Sequence, residues 1–331
     1  MAKRIAINGF GRIGRLTFRK LHDMPGIDIV GINDLTDTAT LAHLLKYDSA
    51  QGPFNKNIRI DGNYLMVDDE KILISAIKSP LELWKGLDVD LVLECTGLFT
   101  DREKASQHIR PDGAKRVIIS APAKGSDVPT IVLGINEDSI DPKETIFSNA
   151  SCTTNCLAPL VKVLIDNWGI RTGTMTTIHA YTSDQNLQDA PHRDPRRARA
   201  AAYNIIPTST GAASALKLVI PAIGNKLGAM SYRVPVISGS VVDLNVILDT
   251  PADENEINAA FMTAAQGRMK GYLQYCIDPI VSGDVIRNTH SCVFDSLMTE
   301  VTGDIVKVVG WYDNEAGYSS RLAELAFMLS K

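Results

Sequence analysis

Hydrophobic and polar positions along the 331-residue chain fall into two textures. Over residues 4–120, short apolar runs alternate with segments of helical period. Ile5-Ala6-Ile7, Ile27–Ile32, Leu91-Val92-Leu93 and Val117-Ile118-Ile119 read as strands. Between the first two, Arg12–Leu21 places Ile13, Leu16 and Leu21 on one helical side. Strand and helix in alternation predict parallel strands covered on both faces, the doubly wound α/β arrangement. One stretch breaks the rhythm. Ile58–Ile60, Tyr64–Val67 and Ile72–Ile74 are short and separated by Asp61-Gly62-Asn63 and Asp68-Asp69-Glu70, which predicts an antiparallel insertion.

Past residue 150 the pattern changes. Leu157, Leu160, Val161, Leu164, Ile165 and Trp168 follow helical spacing up to Gly169, with a kink expected at Pro159. Gly173–Tyr181 and Val241–Leu248 read as long strands. The second sets Val242, Leu244, Val246 and Leu248 on one face and Asp243 and Asn245 on the other. A sheet with one covered face predicts a second, α+β domain built on a large, mostly antiparallel sheet. Tyr318, Leu322, Leu325, Ala326 and Leu329 then form a closing helix. The expected division is 1–150 with the closing helix 315–331, and 151–314.

Composition narrows the function classes. With 45% hydrophobic and 22% charged residues the chain is globular. A net charge of −4 gives no bulk attraction to nucleic acid or anionic lipid, which leaves a small molecule as the default partner. No apolar run approaches the ~18 residues of a membrane span, and Met-Ala-Lys-Arg leads straight into a strand without a signal-like segment. The five cysteines are scattered and odd in number. Together these features predict a cytoplasmic protein with reduced thiols and no membrane association.

Gly9-Phe10-Gly11-Arg12-Ile13-Gly14 follows a strand and opens a helix. In that setting the glycines permit a tight turn, a close approach to a diphosphate and tight helix–strand packing, with the diphosphate on the helix N-terminus. A bare glycine turn is the plainer reading of the motif taken alone. Asp34 ends the second strand, where an acid would hold a ribose 2′-hydroxyl and repel a 2′-phosphate. The prediction is a dinucleotide site, and NAD rather than NADP. A turn-forming Asn33-Asp34 pair is the competing reading, and the βαβ context weighs against it.

Ala150-Ser151-Cys152-Thr153-Thr154-Asn155 stands where an extended segment enters a helix. A cysteine in a first helical turn meets the positive dipole end, which favours thiolate. His179 shares a strand face with Met175, Thr177 and Tyr181, and an imidazole beside the thiol would move its proton. On residue type alone a lone cysteine is more often packing and a strand histidine a satisfied structural group. Spacing leaves the pair open.

Larger motifs extend this reading. Gly9–Gly14, Ser151–Asn155, Thr176–Thr182, Ser209-Thr210-Gly211-Ala212-Ala213 and Trp311-Tyr312-Asp313-Asn314-Glu315 resemble the phosphorylating glyceraldehyde-3-phosphate dehydrogenases, in order and over the whole chain. The resemblance implies a glycolytic homotetramer that oxidises glyceraldehyde 3-phosphate with NAD. Cys152 would be its nucleophile and His179 its base, acting through hemithioacetal and thioester, with phosphorolysis by inorganic phosphate. It assigns Gly9, Phe10, Gly11, Arg12, Ile13, Gly14, Asp34, Thr96, Ser120 and Asn314 to the cofactor. Thr182 and Arg233 go to the substrate phosphate; Ser151, Thr153, Thr210, Gly211 and Arg197 go to the attacking phosphate. An erythrose-4-phosphate dehydrogenase shares the dyad, but the intact Ser209-Thr210-Gly211 segment favours an inorganic-phosphate site.

Three positions depart from the family pattern: Ser214 for a common lysine, Ala316 for an aromatic, and Ala190 where leucine is frequent. The last shifts the exclusion of NADP onto Asp34. The basic run His192–Arg199 lacks interleaved aromatics and resembles a loop that reaches a neighbouring subunit, not a nucleic-acid patch. Cys156 reads as packing, Cys95 as a strand core residue, and Cys276 and Cys292 as silent. The six histidines show no metal-ligand spacing.

Overall fold

The computed structural model describes residues 2–330, and the chain divides into two compact units. The first takes the chain up to Ile131, Ser139–Ala150 and the segment from Ser319 onward; the second takes Val132–Asp138 and Ser151–Tyr318.

The first unit contains β1 (Lys3–Asn8), α1 (Arg12–His22), β2 (Ile27–Asn33), α2 (Thr38–Lys46), β3 (Ile58–Asp61), β4 (Tyr64–Val67) and β5 (Glu70–Ser75). Then come β6 (Val89–Glu94), α3 (Arg102–Ala105), β7 (Ala114–Ile119) and β8 (Ile146–Ser148). They form one eight-stranded sheet in the order β3-β4-β5-β2-β1-β6-β7-β8. Pairings from β5 through β8 are parallel, while β3–β4 and β4–β5 are antiparallel. The expected insertion is present and joins the parallel sheet through β5. Ile5, Ile7, Ile32, Val92 and Leu93 are fully buried, as both-face coverage of parallel strands requires. Strand order reverses between β1 and β6, and in such sheets a crevice opens at that switch, beyond the carboxyl ends.

The second unit contains α4 (Cys152–Trp168), β9 (Ile170–Ala180), β10 (Ile206–Thr208), α5 (Ala212–Val219), β11 (Leu227–Val234), β12 (Ser240–Leu248) and α6 (Glu254–Gln266). It continues with β13 (Leu273–Cys276), β14 (Cys292–Asp295), β15 (Glu300–Thr302), β16 (Ile305–Tyr312) and the start of α7 (Ala316–Leu329). The sheet order is β10-β11-β9-β12-β16-β14-β13, with β15 on β16. Only β11–β9 and β13–β14 are parallel. Along β12 every second residue, from Ser240 to Leu248, is buried, the alternation that a half-covered sheet imposes. Leu157, Leu160, Val161 and Leu164 of α4 are buried over that sheet, packed on β12, β14 and β16. At Pro159 the expected kink does not interrupt α4: the proline is buried inside a helix that runs unbroken to Trp168.

Two cysteine readings change. Cys95 follows β6 rather than lying in it, and is half-buried. Cys292 is not without a role in packing: a Cβ on Gly310 would meet its Sγ at 2.6 Å and that of Cys156 at 3.2 Å. The two buried thiols share the space that the glycine leaves.

Candidate active site

In the first unit, the glycine motif is a cradle made of backbone. Gly9 holds φ +91, and a Cβ there would sit 2.7 Å from the amide nitrogen of Thr96. A Cβ on Gly14 would lie 2.2 Å from the carbonyl oxygen of Gly9. Gly11 differs, because its Cβ would meet only open space. It is the N-cap of α1 and makes no side-chain cap, and a helix start of this kind suits an anion. Asp34 follows β2 directly; its Oδ2 accepts from the amide of Phe10 at 2.7 Å and its Oδ1 from that of Thr36 at 3.0 Å. The carboxylate is thus fixed against the glycine turn and keeps further acceptor capacity. Phe10 and Arg12 send their side chains elsewhere. Phe10 is buried edge-on against Phe18. The Arg12 guanidinium forks onto Asp48 at 2.5 and 3.1 Å. Burial opposes the Asp48 charge, but Arg12 and the amides of Gln51 and Ala50 prevail and hold its carboxyl below the usual range.

The second unit holds the thiol. Ser151 caps α4, its Oγ accepting from the amide of Thr154 at 3.1 Å, so Cys152 occupies the first helical position. Two residues before it, Ala150 holds φ +55, a left-handed conformation that costs a non-glycine residue about 1 kcal/mol. Cys152 Sγ lies 3.4 Å from His179 Nε2. On the other side of the ring, Nδ1 is 2.6 Å from the carbonyl oxygen of Ala180. Arg233 Nη1, which can only donate, lies 3.1 Å from the same Nδ1, so two neighbours compete for it: a proton on Nδ1 bonds Ala180 and turns the Nε2 lone pair to the thiol, whereas a bare Nδ1 accepts from Arg233. Burial pushes the Cys152 thiol up, while Arg233 draws it down. Burial also lowers His179 to about 3, and the charge of Arg233 adds to that shift. Burial thus opposes the charged form of both groups, while the helix dipole and Arg233 favour the thiolate.

Around this pair lies a set of cationic and hydroxyl donors. Arg233 Nη1 donates to Thr182 Oγ1 at 2.9 Å and reaches the Ala180 carbonyl oxygen at 3.2 Å. The Thr182 hydroxyl in turn donates to Asp184. Arg197 Nη1 bonds the other oxygen of that carboxylate at 2.5 Å, and its Nε and Nη2 donate to Thr208 Oγ1 at 2.8 and 2.6 Å. The register of β10 on β11 pairs Ile206 with Arg233, which brings Thr208 and Arg197 near Arg233. Arg233 Nε and Gln185 Nε2 are buried without a hydrogen-bond partner. Gln185 Oε1 accepts from the Thr182 amide at 3.3 Å, so both unspent donors belong to side chains bonded to Thr182. Such donors suit an anion.

Residues 3–102 match the family profile described as the NAD binding domain of glyceraldehyde 3-phosphate dehydrogenase, and residues 151–314 match its C-terminal domain. The chain belongs to the glyceraldehyde-3-phosphate dehydrogenase family. It is 54% identical to the glyceraldehyde-3-phosphate dehydrogenase of Mycobacterium tuberculosis (strain H37Rv), over 100% of this chain and 99% of the relative. Identity is 53% to glyceraldehyde-3-phosphate dehydrogenase 2 of Streptomyces avermitilis, over 98% of both chains. It is 52% to the Geobacillus stearothermophilus glyceraldehyde-3-phosphate dehydrogenase, again over 98% of both. The chain is thus an NAD-dependent oxidoreductase of this family, with a Rossmann-type first unit and a mostly antiparallel second unit.

Within this dehydrogenase frame the remaining predicted residues fall as follows. Gly9–Gly11, Asp34, Thr96 and Ser120 lie in the turns after parallel strands, and Arg12–Gly14 open α1. Cys152, His179, Thr182, Arg197 and Arg233 come together in the second unit. Asn314 Oδ1 accepts from the Gly239 amide at 3.2 Å and Ser240 Oγ at 3.1 Å, which commits the oxygen to the fold and leaves the amide hydrogens for a ligand. Two hydroxyls have other duties. Ser151 Oγ caps α4, and Thr153 Oγ1 bonds the buried hydroxyl of Tyr312 at 2.9 Å. Thr210 and Gly211 stand at the start of α5; among the described residues no side-chain hydrogen bond joins them to Cys152 or His179. The sequence reading missed Asp184, Gln185, Thr208 and Tyr312. Asp184 left one faint signal: an acid two residues past Thr182, ahead of a run of arginines.

Proposed function

We propose that the chain oxidises D-glyceraldehyde 3-phosphate to 1,3-bisphosphoglycerate with NAD and inorganic phosphate, as a cytoplasmic homotetramer in glycolysis or gluconeogenesis. The first unit is read as the NAD-binding domain and the second as the catalytic domain. The observation that carries the reading is the 3.4 Å contact between Cys152 Sγ and His179 Nε2. The backbone cradle at Gly9, Gly11 and Gly14, with Asp34 fixed beside it, fits a dinucleotide. Asn314 would take the nicotinamide carboxamide. When bound, NAD supplies the acceptor for the hydride that leaves the substrate carbon.

The chain's own groups do the rest. Thr182, Arg233 and the unspent donors beside them take the phosphate of the aldehyde and set its carbonyl carbon against Cys152. The sulfur adds to that carbon while its proton passes through His179 Nε2 to the carbonyl oxygen, giving a hemithioacetal. His179 Nε2 then takes the hydroxyl proton as the carbon is oxidised to a thioester. Inorganic phosphate held by Arg197, Thr210 and the amides around Ser151, Thr153 and Gly211 attacks the thioester carbon. The carbon–sulfur bond breaks, the acyl phosphate leaves, and the proton on His179 returns to the sulfur. Asp184 keeps both cations apart and oriented until anions arrive. Exposed Leu187, Tyr203 and Ile205, at 79%, 87% and 68%, support the 182–205 loop as a subunit contact.

An assay of NADH formation from glyceraldehyde 3-phosphate, with and without phosphate, tests this. Turnover that needs phosphate is expected. Indifference to phosphate, or a faster reaction with erythrose 4-phosphate, would overturn it.

A further inference from the structure

Glu94 closes β6 with 1% of its surface exposed, and among the described residues no lysine or arginine bonds to it. Its Oε2 accepts from Asn8 Nδ2 at 2.6 Å and from His108 Nε2 at 3.0 Å. Its Oε1 accepts from the Thr96 amide at 2.9 Å and from the Thr96 hydroxyl.

Three of these donors are fixed by a further partner, and the fourth, the Thr96 amide, can only donate. Trp84 Nε1 can only donate, and it donates to His108 Nδ1 at 3.0 Å. The His108 proton therefore sits on Nε2 and points at the carboxylate. The Ile77 amide donates to Asn33 Oδ1, which orients Asn33 so that its Nδ2 donates to Asn8 Oδ1 at 2.8 Å. That leaves Asn8 Nδ2 as the group facing Glu94. The Thr96 hydroxyl accepts from the Leu98 amide at 3.1 Å, so its own hydrogen goes to Glu94. Four fixed donors leave no place for a carboxyl proton.

A buried charge is costly unless it is fully satisfied. Here it is satisfied by two loops at once. Asn8 immediately precedes Gly9, and Thr96 lies two residues after Glu94. The two turns are in contact, since the Cβ that Gly9 lacks would sit 2.7 Å from the Thr96 amide. Trp84 anchors the far end with a buried side chain and φ +70, a backbone conformation its packing must hold in place.

We propose that Glu94 is a positioning residue for NAD, a single buried carboxylate that clamps the glycine turn and the Thr96 turn into one rigid crevice. His108 and Trp84 set its donors. The proposal rests on reading that crevice as the NAD site. Gln at position 94 keeps the shape but must turn its amide toward Asn8 and His108 or toward Thr96, and either choice sets donor against donor.

Calorimetric titration with NAD on the intact enzyme tests this with Glu94→Gln, each sample normalised by the Cys152 that iodoacetamide alkylates. The dissociation constant should rise about tenfold or more, the scale of one buried polar mismatch, with kcat per alkylatable thiol within about twofold. An unchanged constant overturns the proposal, and so does a loss of active fraction or kcat at unchanged NAD affinity, which marks a merely structural role. Should Glu94→Gln fail to fold, Trp84→Phe removes only the donor to His108 and should weaken NAD by about threefold; no change there is equally fatal. Gly11→Val separates the two readings, because its side chain meets open space in the fold. If it binds NAD like the parent, the crevice is misplaced. If it loses NAD while Glu94→Gln keeps it, the crevice stands and the clamp alone is wrong.

Discussion

The crevice of the first unit and the thiol site of the second solve binding in opposite ways. The first is built of backbone: glycine turns, strand ends and the start of α1, all within a few residues of the β1–β6 switch. Its buried carboxylate, Glu94, is surrounded by neutral donors. The second is built of side chains, four from the 182–205 loop and others from α4, β9, β10 and β11. Its centre is two titratable groups in contact, Cys152 and His179, beside the cation of Arg233. Backbone sites hold a shape and make few chemical choices. Side-chain sites make reactivity, and they are only as accurate as the elements that carry them.

The sharpest way to break this contrast is to remove chemistry from the second site and ask whether the first notices. Cys152→Ser should lower NADH formation by at least about 10³-fold, since the alkoxide needed for attack is far less accessible than a thiolate. NAD affinity should stay at the parental value. Surviving turnover would defeat the covalent mechanism, and lost NAD binding would show that the two sites are not separable.

His179→Gln is expected to cost about 10²–10⁴-fold in turnover, the range of a general base. It also has a thermodynamic signature. The imidazole sits at about 3 against an ordinary 6.5. Between those values the unfolded chain binds a proton that the folded chain refuses, so folding stability falls as pH drops through this window. The variant should lose that slope. Urea denaturation at several pH values between 6.5 and 3.5 measures it, and parallel curves for the two proteins would remove His179 as its source.

The same contrast explains what the sequence could and could not reveal. Gly9, Gly11, Gly14 and Asp34 act through local backbone, so their spacing carries their role and the strands around them confirm it. The β12 alternation was legible for the same reason: burial on one face is written every second residue. Cys152 and His179 are 27 positions apart and meet only because α4 covers the sheet that holds β9, a tertiary fact with no local period. Resemblance supplied Thr182 and Arg233, yet it gave no reason for Asp184, Gln185 or Thr208. Those residues are defined by whom they touch. The pull of burial against the Cys152 charge was also hidden, since a helix-start cysteine shows only the dipole until its surroundings are known.

Gly14→Ala tests the backbone side of the contrast. Its methyl group would enter the 2.2 Å gap to the Gly9 carbonyl oxygen, and neither partner is a flexible side chain. A loss of roughly 1–3 kcal/mol in stability is expected, the scale of overpacking, together with weakened NAD binding. The alkylation rate of Cys152 in the folded fraction should hardly change. Wild-type stability in this variant would mean that the turn can open, and that the cradle is not rigid.

The smallest expected effect belongs to a group outside both sites. Arg102 forks onto Glu144 at 3.1 and 2.8 Å, and that bond, with the amides of Ile146 and Thr145, outweighs burial and holds the carboxyl at about 2 against 4.5. A carboxyl lowered by folding stabilises the chain above its unfolded value and stops doing so as pH falls through the folded one. The contribution should therefore be present at neutral pH and vanish between 4.5 and 2, a window mostly below that of His179. The Arg102 side chain is 34% exposed, so solvent screening reduces the pair to about 1 kcal/mol at neutral pH. Glu144→Gln should lower the urea midpoint slightly at pH 7, less at pH 4 and not at pH 2, with NADH formation untouched. A midpoint shift that persists at pH 2 would place the effect in packing rather than charge. Because Glu144 and His179 give slopes of one sign in different windows, the double variant with His179→Gln should show both losses independently.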